Sequence, residues 1–367
     1  VSNRRMPPPP KRRATGPDPL PGQRARGALM GLAVGNALAI PTAGRPFYAP
    51  AFPELAVGPY QDLHGGGPHE LKKGQVSEPT QLAVALALSL RDMKRYDAAD
   101  ALRRYRAWQA HAFAVSDPMK EVLEECDTGL ANAVRGAGKR VWQKNFRRVA
   151  NAGALARVVP LGVLLSKDPF ALAQAAMEDT ALTHFDPRSQ LASAGLCAAI
   201  AKAMTGGPNL KPEDLLPAAE TGISLAGAAL ARQEPDFVQE VARASMLLRE
   251  DLALAAQKDP QLYGPELHLH RPGNNAVRAA FRLAFWELIH VPTAQAALLD
   301  VIHRGGDTEV HAAVTGALLG AFHGEGALPE EWRQKVLLAC QPYNPYQKGT
   351  VMWEVYHPRH LLLLAPG

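Results

Sequence analysis

The strongest constraint on this chain is a succession of Ala- and Leu-rich segments whose apolar residues recur at helical spacing. Residues 24–40, 80–91, 97–110, 170–182, 188–204, 220–232, 236–256, 275–290, 293–303 and 309–322 all carry the pattern. Apolar side chains three or four positions apart line one face of a helix, and Ala is the strongest helix former. Almost nowhere do β-branched residues alternate with polar ones, as a half-buried strand requires. Such a chain buries its apolar faces helix against helix, and its many small side chains let helices approach closely. The expected fold is all-α.

At 367 residues, 47% hydrophobic and 20% charged, the sequence can bury a large core. Turn signals at Gly44-Arg45-Pro46, Gly65-Gly66-Gly67-Pro68, Gly206-Gly207-Pro208, Arg271-Pro272-Gly273 and Gly324-Glu325-Gly326 separate the helical segments. No internal repeat or strong linker interrupts residues 24–340, which read as one domain. Residues 44–76 form a long irregular span of the kind that serves as a lid or binding loop. Residues 341–367, Pro- and aromatic-rich, read as a strap over the bundle.

The net charge of +5 is unevenly spread: residues 1–26 carry a net +6, leaving −1 for everything after them. Residues 1–23, with Pro7 to Pro10 and further prolines at 17, 19 and 21, are expected to be a disordered basic tail. A basic domain face for nucleic acid is not indicated, and only the tail could touch one. No apolar run reaches the roughly 20 residues a membrane helix needs, and the tail lacks the apolar core of a secretory signal. Cys126, Cys197 and Cys340 are scattered, without metal-type spacing, and fit reduced thiols in cytoplasm.

Two segments carry chemistry. Ser77-Glu78-Pro79-Thr80 and Gly305-Gly306-Asp307-Thr308-Glu309-Val310 each open a helical stretch with a cluster of oxygen side chains. Three carboxylates, Glu78, Asp307 and Glu309, with hydroxyls at Ser77, Thr80 and Thr308, suit a hard divalent cation. Carboxylates in a first helical turn also complement the helix dipole and cap free N–H groups, which is the simpler reading of either cluster alone.

The order and spacing of these segments resemble the ADP-ribosylglycohydrolase family over roughly residues 24–325. GALMGLAVGNALAIP at 27–41 is similar to the family's opening helix, and GGGPHELKKGQVSEPTQ at 65–81 to its G-G-G-x-x-x-L-x-x-G-x-x-T-D-D-T-Q segment. GALARVVPLG at 153–162, THFDP at 183–187 and GGDTEVHAAVTGALLGAFHG at 305–324 resemble three further family segments in the right order. The resemblance implies an orthogonal bundle of antiparallel helices around a cleft with two divalent metals. It implies hydrolysis of a bond to ADP-ribose C1″, with an ADP-ribose-containing small molecule or an ADP-ribosylated protein as substrate. Carried onto this sequence, it assigns Ser77, Glu78, Asp307 and Glu309 to the metal, and Glu78, Asp307 and Glu309 to catalysis. It assigns Asn36, Gly65, Gly66, Gly67, His184, Gly305 and Gly306 to substrate binding.

The departures fall on the metal motifs. The family's T-D-D-T is here Ser77-Glu78-Pro79-Thr80; Glu309 replaces an aspartate and Val310 a Thr or Ser. Of the six ligand positions implied, Ser77, Glu78, Asp307 and Glu309 keep an oxygen donor, whereas Pro79 and Val310 have none. Asn36 stands where an aspartate is usual, no acid/base residue follows near Ala43, and no aromatic residue stands at 273–277 to stack on adenine. Three readings follow: hydrolysis at a reduced site holding one Mg²⁺ or Mn²⁺, or none; binding of ADP-ribose without turnover; or a structural, partner-binding role. His311 is a poor co-ligand for Glu309, since two helical residues are rotated by about 200°. Arg157 braces either a carboxylate of the site or a partner elsewhere.

Overall fold

The computed structural model describes residues 19–45, 49–126, 136–259, 277–342 and 352–365. Among them are fifteen α-helices and no strand; the one β-bridge joins Gly66 and Leu71. The first seven helices are α1 (Pro21–Ala39), α2 (Glu78–Met93), α3 (Ala98–Gln109), α4 (Met119–Glu125), α5 (Gly136–Lys144), α6 (Gly153–Arg157) and α7 (Val159–Leu164). There follow α8 (Pro169–Ala181), α9 (Pro187–Thr205), α10 (Leu215–Gln233) and α11 (Val238–Ala255). The last are α12 (Val277–His290), α13 (Ala294–His303), α14 (Thr308–His323) and α15 (Glu330–Leu338). Every long periodic segment of the sequence is a helix. The helices that periodicity did not reveal are α4 to α7 and α15, all of nine residues or fewer.

At the centre lie α1 and α14, both apolar on all sides and buried along most of their length, as an interior helix must be. They run antiparallel in unusually close contact. A Cβ on Gly31 would stand 2.0 Å from the Gly316 carbonyl oxygen, and one on Gly27 or Gly35 would meet Gly320 or Ala312 in the same way. Glycine at these positions is required by the approach of the two backbones. Helices α9, α12 and α13 pack around this pair, with α8, α10 and α11 beyond α9. On the other side α2 packs on α3 and α6, and is covered by a 3₁₀ segment, Pro358–Leu364, whose Leu361 is fully buried.

The helix start differs from the sequence expectation. Residues 1–18 lie outside the described residues, but Pro21 occupies the first turn of α1, where its missing N–H is no loss. Two of the basic residues counted with the tail belong to the fold. Arg24 is buried and donates to the carbonyls of Pro19, Ala203 and Phe322, and Arg26 pairs with Glu325 at 2.6 Å.

The far end of α1 gathers the two oxygen clusters. Pro41 cannot continue the helix, and a 3₁₀ turn over Ile40–Thr42 follows. From the last turn of α1, Asn36 bonds Ser77 at the head of α2; from the 3₁₀ turn, Thr42 donates to Thr308 at the head of α14, 3.0 Å away. Segments more than two hundred residues apart are thus fastened to one helix end. The span 49–63 is pinned to α13: Arg304 bonds Asp300 at 2.6 Å and donates to the carbonyls of Pro50 and Glu54. Ala56 N–H donates to Asp300, and Tyr60 N–H to His303. No helix among the described residues is long and apolar enough to cross a membrane.

Candidate active site

A cavity of about 340 Å³ opens where α2 and α14 begin. Ser77, Glu78 and Pro79 line it from α2, and Asp307, Glu309 and Val310 from α14. Its outer wall is the 111–118 loop between α3 and α4, contributing Phe113 through Asp117; Asn151, Gly153 and His69 complete it. The three carboxylates singled out by their motifs therefore share one cavity, together with Ser77.

A hydrogen-bonded chain orders this floor. Asn36 Nδ2 donates to Ser77 Oγ (2.8 Å), and Asn36 Oδ1 accepts from Ser77 N–H (2.9 Å) and from the Thr80 hydroxyl (2.8 Å). Ser77 Oγ in turn donates to Glu309 Oε1 at 2.5 Å. Ser77 is the residue before α2, yet its side chain makes no capping bond to that helix. Glu78 is held separately: Ser116 N–H donates to Oε2 (2.7 Å) and the Ser116 hydroxyl to Oε1 (2.5 Å).

Burial dominates the electrostatics. It pushes the Glu78 carboxyl up to about 7, with the Ser116 bonds opposing and the nearby Asp307 charge adding to the rise. Burial raises Asp307 to about 6. It raises Glu309 to about 7 against the Ser77 bond, with Asp307 and Glu78 repelling from the same side. Carboxylates raised by burial, with neighbouring charge adding at Glu78 and Glu309, are poised near neutral pH, the range a general acid or base needs.

The donor set is oxygen-only and anionic, which suits a hard divalent cation in chemistry. Its arrangement is looser. Among the described residues no group of three or more His, Cys, Asp and Glu side chains is gathered so as to hold a metal ion.

The other residues assigned by resemblance do not line the cavity. Asn36 lies beneath it, both its polar atoms spent on Ser77 and Thr80. The Gly65–Gly67 turn folds on itself, Gly66 exchanging bonds with Leu71 while Gly67 packs on the Ile40 carbonyl. From the same turn it is His69 that reaches the cavity, meeting Phe113 edge-on at 5.1 Å. Gly305 and Gly306, both at φ +81°, lead the chain into Asp307 without facing the cavity. His184 is buried behind Gly153: its Nδ1 is 2.8 Å from Thr183 Oγ1, and a Cβ on Gly153 would stand 2.9 Å from its Nε2. Burial and the Arg157 charge push His184 down to about 3, so it is neutral. His311 is fully buried, away from the cavity, and burial lowers it to about 4.

Arg157 makes no hydrogen bond to a site carboxylate, and only its charge reaches the site, opposing the rise at Glu78. It is completely buried, bonded to Asp179 (2.8 Å), to the Asp179 carbonyl and to Thr183, with its guanidinium 4.6 Å from the Tyr105 ring centre. The stretch 273–276, where an adenine-stacking residue was sought, lies outside the described residues. Sequence reasoning missed His69 and the 113–117 wall. The one available signal was Asp117-Pro118, an acidic residue followed by a proline just ahead of a short helix.

Comparison with known proteins agrees with this architecture. The sequence matches the profile of the ADP-ribosylglycohydrolase family over residues 17–349. It is 25% identical over 328 residues to the ADP-ribosyl-(dinitrogen reductase) glycohydrolase of Rhodospirillum rubrum, covering 85% of this chain and 90% of that protein. It is 23% identical over 316 residues to the ADP-ribosylarginine hydrolase Tri1 of Pseudomonas putida (strain GB-1), covering 85% of this chain and 74% of that protein. A solved structure described as an ADP-ribosylglycohydrolase-related protein complex matches with a TM-score of 0.62 and 24% identity, covering 94% of this chain and 98% of its own. With the helical fold, the shared cavity and a profile match spanning most of the sequence, this chain belongs to the ADP-ribosylglycohydrolase family.

Proposed function

We propose that the chain hydrolyses an ADP-ribosyl N-glycosidic bond to a cationic acceptor, an arginine guanidinium on a protein or a small molecule. The observation that carries this reading is the lining: four carboxylates, Glu78, Asp117, Asp307 and Glu309, and, among the described residues, no Lys or Arg. Such a cavity favours positive charge, both on a planar guanidinium and on an oxocarbenium-like C1″ as its bond to nitrogen lengthens. Two relatives are named for the same class of reaction, one on ADP-ribosylarginine and one on dinitrogen reductase.

In this reading the C1″–N bond breaks with its electron pair going to the guanidine, and a water oxygen bonds to C1″. Asp307 or Glu309, raised to about 6 and about 7, takes the water's proton, which then passes to the departing guanidine. Asp117, at the rim, faces the acceptor side and orients the guanidinium through paired N–H bonds. A single Mg²⁺ or Mn²⁺ ion, held by Asp307 and Glu309 with Ser77 and Glu78 beside them, would supply orientation of the ribose hydroxyls and polarisation of the water.

One observation favours a second reading, binding without turnover: Pro79 and Val310 line the cavity with no ligand atom, and no three-ligand group is present among the described residues. Calorimetric titration of ADP-ribose into metal-stripped protein, with and without Mg²⁺ or Mn²⁺, and turnover of ADP-ribosylated arginine distinguish the two. Hydrolysis by the wild type, lost by about a hundredfold or more in a folded Asp307→Ala variant, is the expected result. Tight binding with no turnover under any cation establishes the second reading, and unchanged turnover in Asp307→Ala removes the assigned site.

A further inference from the structure

Both oxygens of Glu78 are engaged by a single residue. Ser116 gives one its backbone N–H at 2.7 Å and the other its hydroxyl at 2.5 Å. Ser116 is exposed, and its loop, 111–118, has no regular secondary structure of its own up to the start of α4. Besides the Glu78 clasp, the loop is tied near its two ends: His111 and Ala112 N–H donate to the Trp108 carbonyl, the Ser116 carbonyl accepts from Lys120 N–H at 2.9 Å, and Asn151 Nδ2 donates to the Asp117 carbonyl at 2.7 Å. Between them Phe113 to Val115 have only packing and the clasp to place them. This loop is the cavity's outer wall. It carries Phe113, which meets His69 across the rim, and Asp117, the rim carboxylate. Glu78 sits on the rigid first turn of α2, whose neighbouring residues are buried. A buried helix end thus holds an irregular loop by two charge-assisted bonds.

Side-chain length matters here. An aspartate on the same backbone would end about 1.5 Å short, one carbon–carbon bond, and could not keep both contacts without moving the loop. Glutamate at 78 therefore has a geometric consequence that is separate from its charge.

We infer that Glu78 is a positioning residue for acceptor recognition: through Ser116 it fixes the 111–118 wall, and with it Phe113 and Asp117, against the acceptor side of the substrate. Any cation then rests on Asp307 and Glu309. The inference builds on the hydrolase reading above and adds a residue role that the acidic cluster alone does not give.

The two roles open to Glu78 rank its variants oppositely. A cation ligand tolerates Glu78→Asp, which keeps the charge, and fails with Glu78→Gln. A loop clasp tolerates Glu78→Gln, whose amide oxygen still accepts the Ser116 N–H and whose amide nitrogen can donate to the Ser116 hydroxyl. It fails with Glu78→Asp. The test compares wild type, Glu78→Gln, Glu78→Asp and Ser116→Ala on an ADP-ribosylated arginine peptide. It also measures Mn²⁺ affinity by calorimetry and hydrogen exchange of the 111–118 amides without ligand. Expected are KM increases of about tenfold in Glu78→Asp and Ser116→Ala, larger than their loss in kcat, with a smaller increase in Glu78→Gln. Loop amides exchange faster in the same order, and Mn²⁺ affinity follows neither.

The opposite ranking, with Glu78→Gln losing Mn²⁺ binding and turnover while Glu78→Asp keeps both, overturns the inference. If the wild type turns over no arginine substrate, the hydrolase reading falls by itself. Loop exchange still decides this one: faster exchange in Glu78→Asp and Ser116→Ala supports the clasp, and identical exchange in all four proteins overturns it.

Discussion

Ser77 shows how far one residue's role can depart from what its position suggests. It precedes a helix, where a serine ordinarily caps, but its hydroxyl is spent between Asn36 and Glu309. The bond to Glu309 stabilises that carboxylate's charged form and so holds its pKa below what burial alone would give. Ser77→Ala removes the donor and leaves Glu309 less compensated, at a cost of about 1–3 kcal/mol in stability. The sign for catalysis follows. Losing a bond to the charged form raises the proton affinity of Glu309, so the acidic limb of the kcat/KM profile should move to higher pH. A pH–rate profile of Ser77→Ala that stays in place or moves down would remove Glu309 from the base's role.

Legibility differed by residue for physical reasons. Glu78, Asp307 and Glu309 stood out because a helix start with clustered oxygens is a local pattern, and the structure brings all three to one cavity. Asn36 and His184 sit in equally recognisable segments, yet burial and hydrogen bonding turn them inward, which no spacing reveals. Phe113 and Asp117 reach the cavity through a loop without periodicity, so only tertiary contact identifies them.

At the scale of elements, long helices declared themselves and short ones did not. Amphipathic periodicity needs about three turns to register, whereas α6 and α7 have 5 and 6 residues and owe their helical state to packing. The close pairing of α1 with α14 was legible in composition only as an abundance of small residues. The register is what matters: Gly27, Gly31 and Gly35, four apart, form one stripe facing Gly320, Gly316 and Ala312. Adding one methyl at Gly31 places it 2.0 Å from backbone that has no slack, and the helices must separate. Gly31→Ala should therefore lower unfolding stability by about 1–3 kcal/mol or more, despite Ala's better helix propensity. Gly207→Ala, where an added Cβ meets nothing within 4 Å, should stay within about 0.5 kcal/mol. Urea unfolding of both variants checks the contrast, and equal midpoints would mean the two helices are not in backbone contact. Because α1 also fastens the heads of α2 and α14, Gly31→Ala should lower turnover along with stability.

For the whole molecule, the raised carboxyls make stability depend on pH in an unusual direction. Glu78, Asp307 and Glu309 bind protons more tightly in the folded chain than in the unfolded one, where carboxylates titrate near 4. Between pH of about 4 and about 7 the native state holds more protons, so unfolding releases them and stability falls as pH rises. The contribution is full below the unfolded pKa and spent above the folded one. Each tenfold difference in proton affinity is worth about 1.4 kcal/mol, so three coupled sites amount to several kcal/mol. Glu287, buried beside Asp300 and raised well above the usual range, adds to the same trend but lies outside the cavity lining. The cavity's share is separated by chemistry: a divalent cation replaces protons on Asp307 and Glu309 and leaves Glu287 alone. The buried His184 and His311, lowered in the folded chain, act in the opposite direction only up to the unfolded imidazole value near 6.5, so metal-stripped protein should lose melting temperature between about pH 6.5 and 8. Saturating Mn²⁺ should restore it at pH 8 with little effect at pH 5.5, by about 2.7 kcal/mol at a concentration a hundredfold above Kd. Asp307→Asn should flatten part of the pH dependence and most of the Mn²⁺ response together. A Mn²⁺ response of equal size at both pH values would mean the cation binds away from these carboxylates, because only a site that must shed protons to take up metal couples the two.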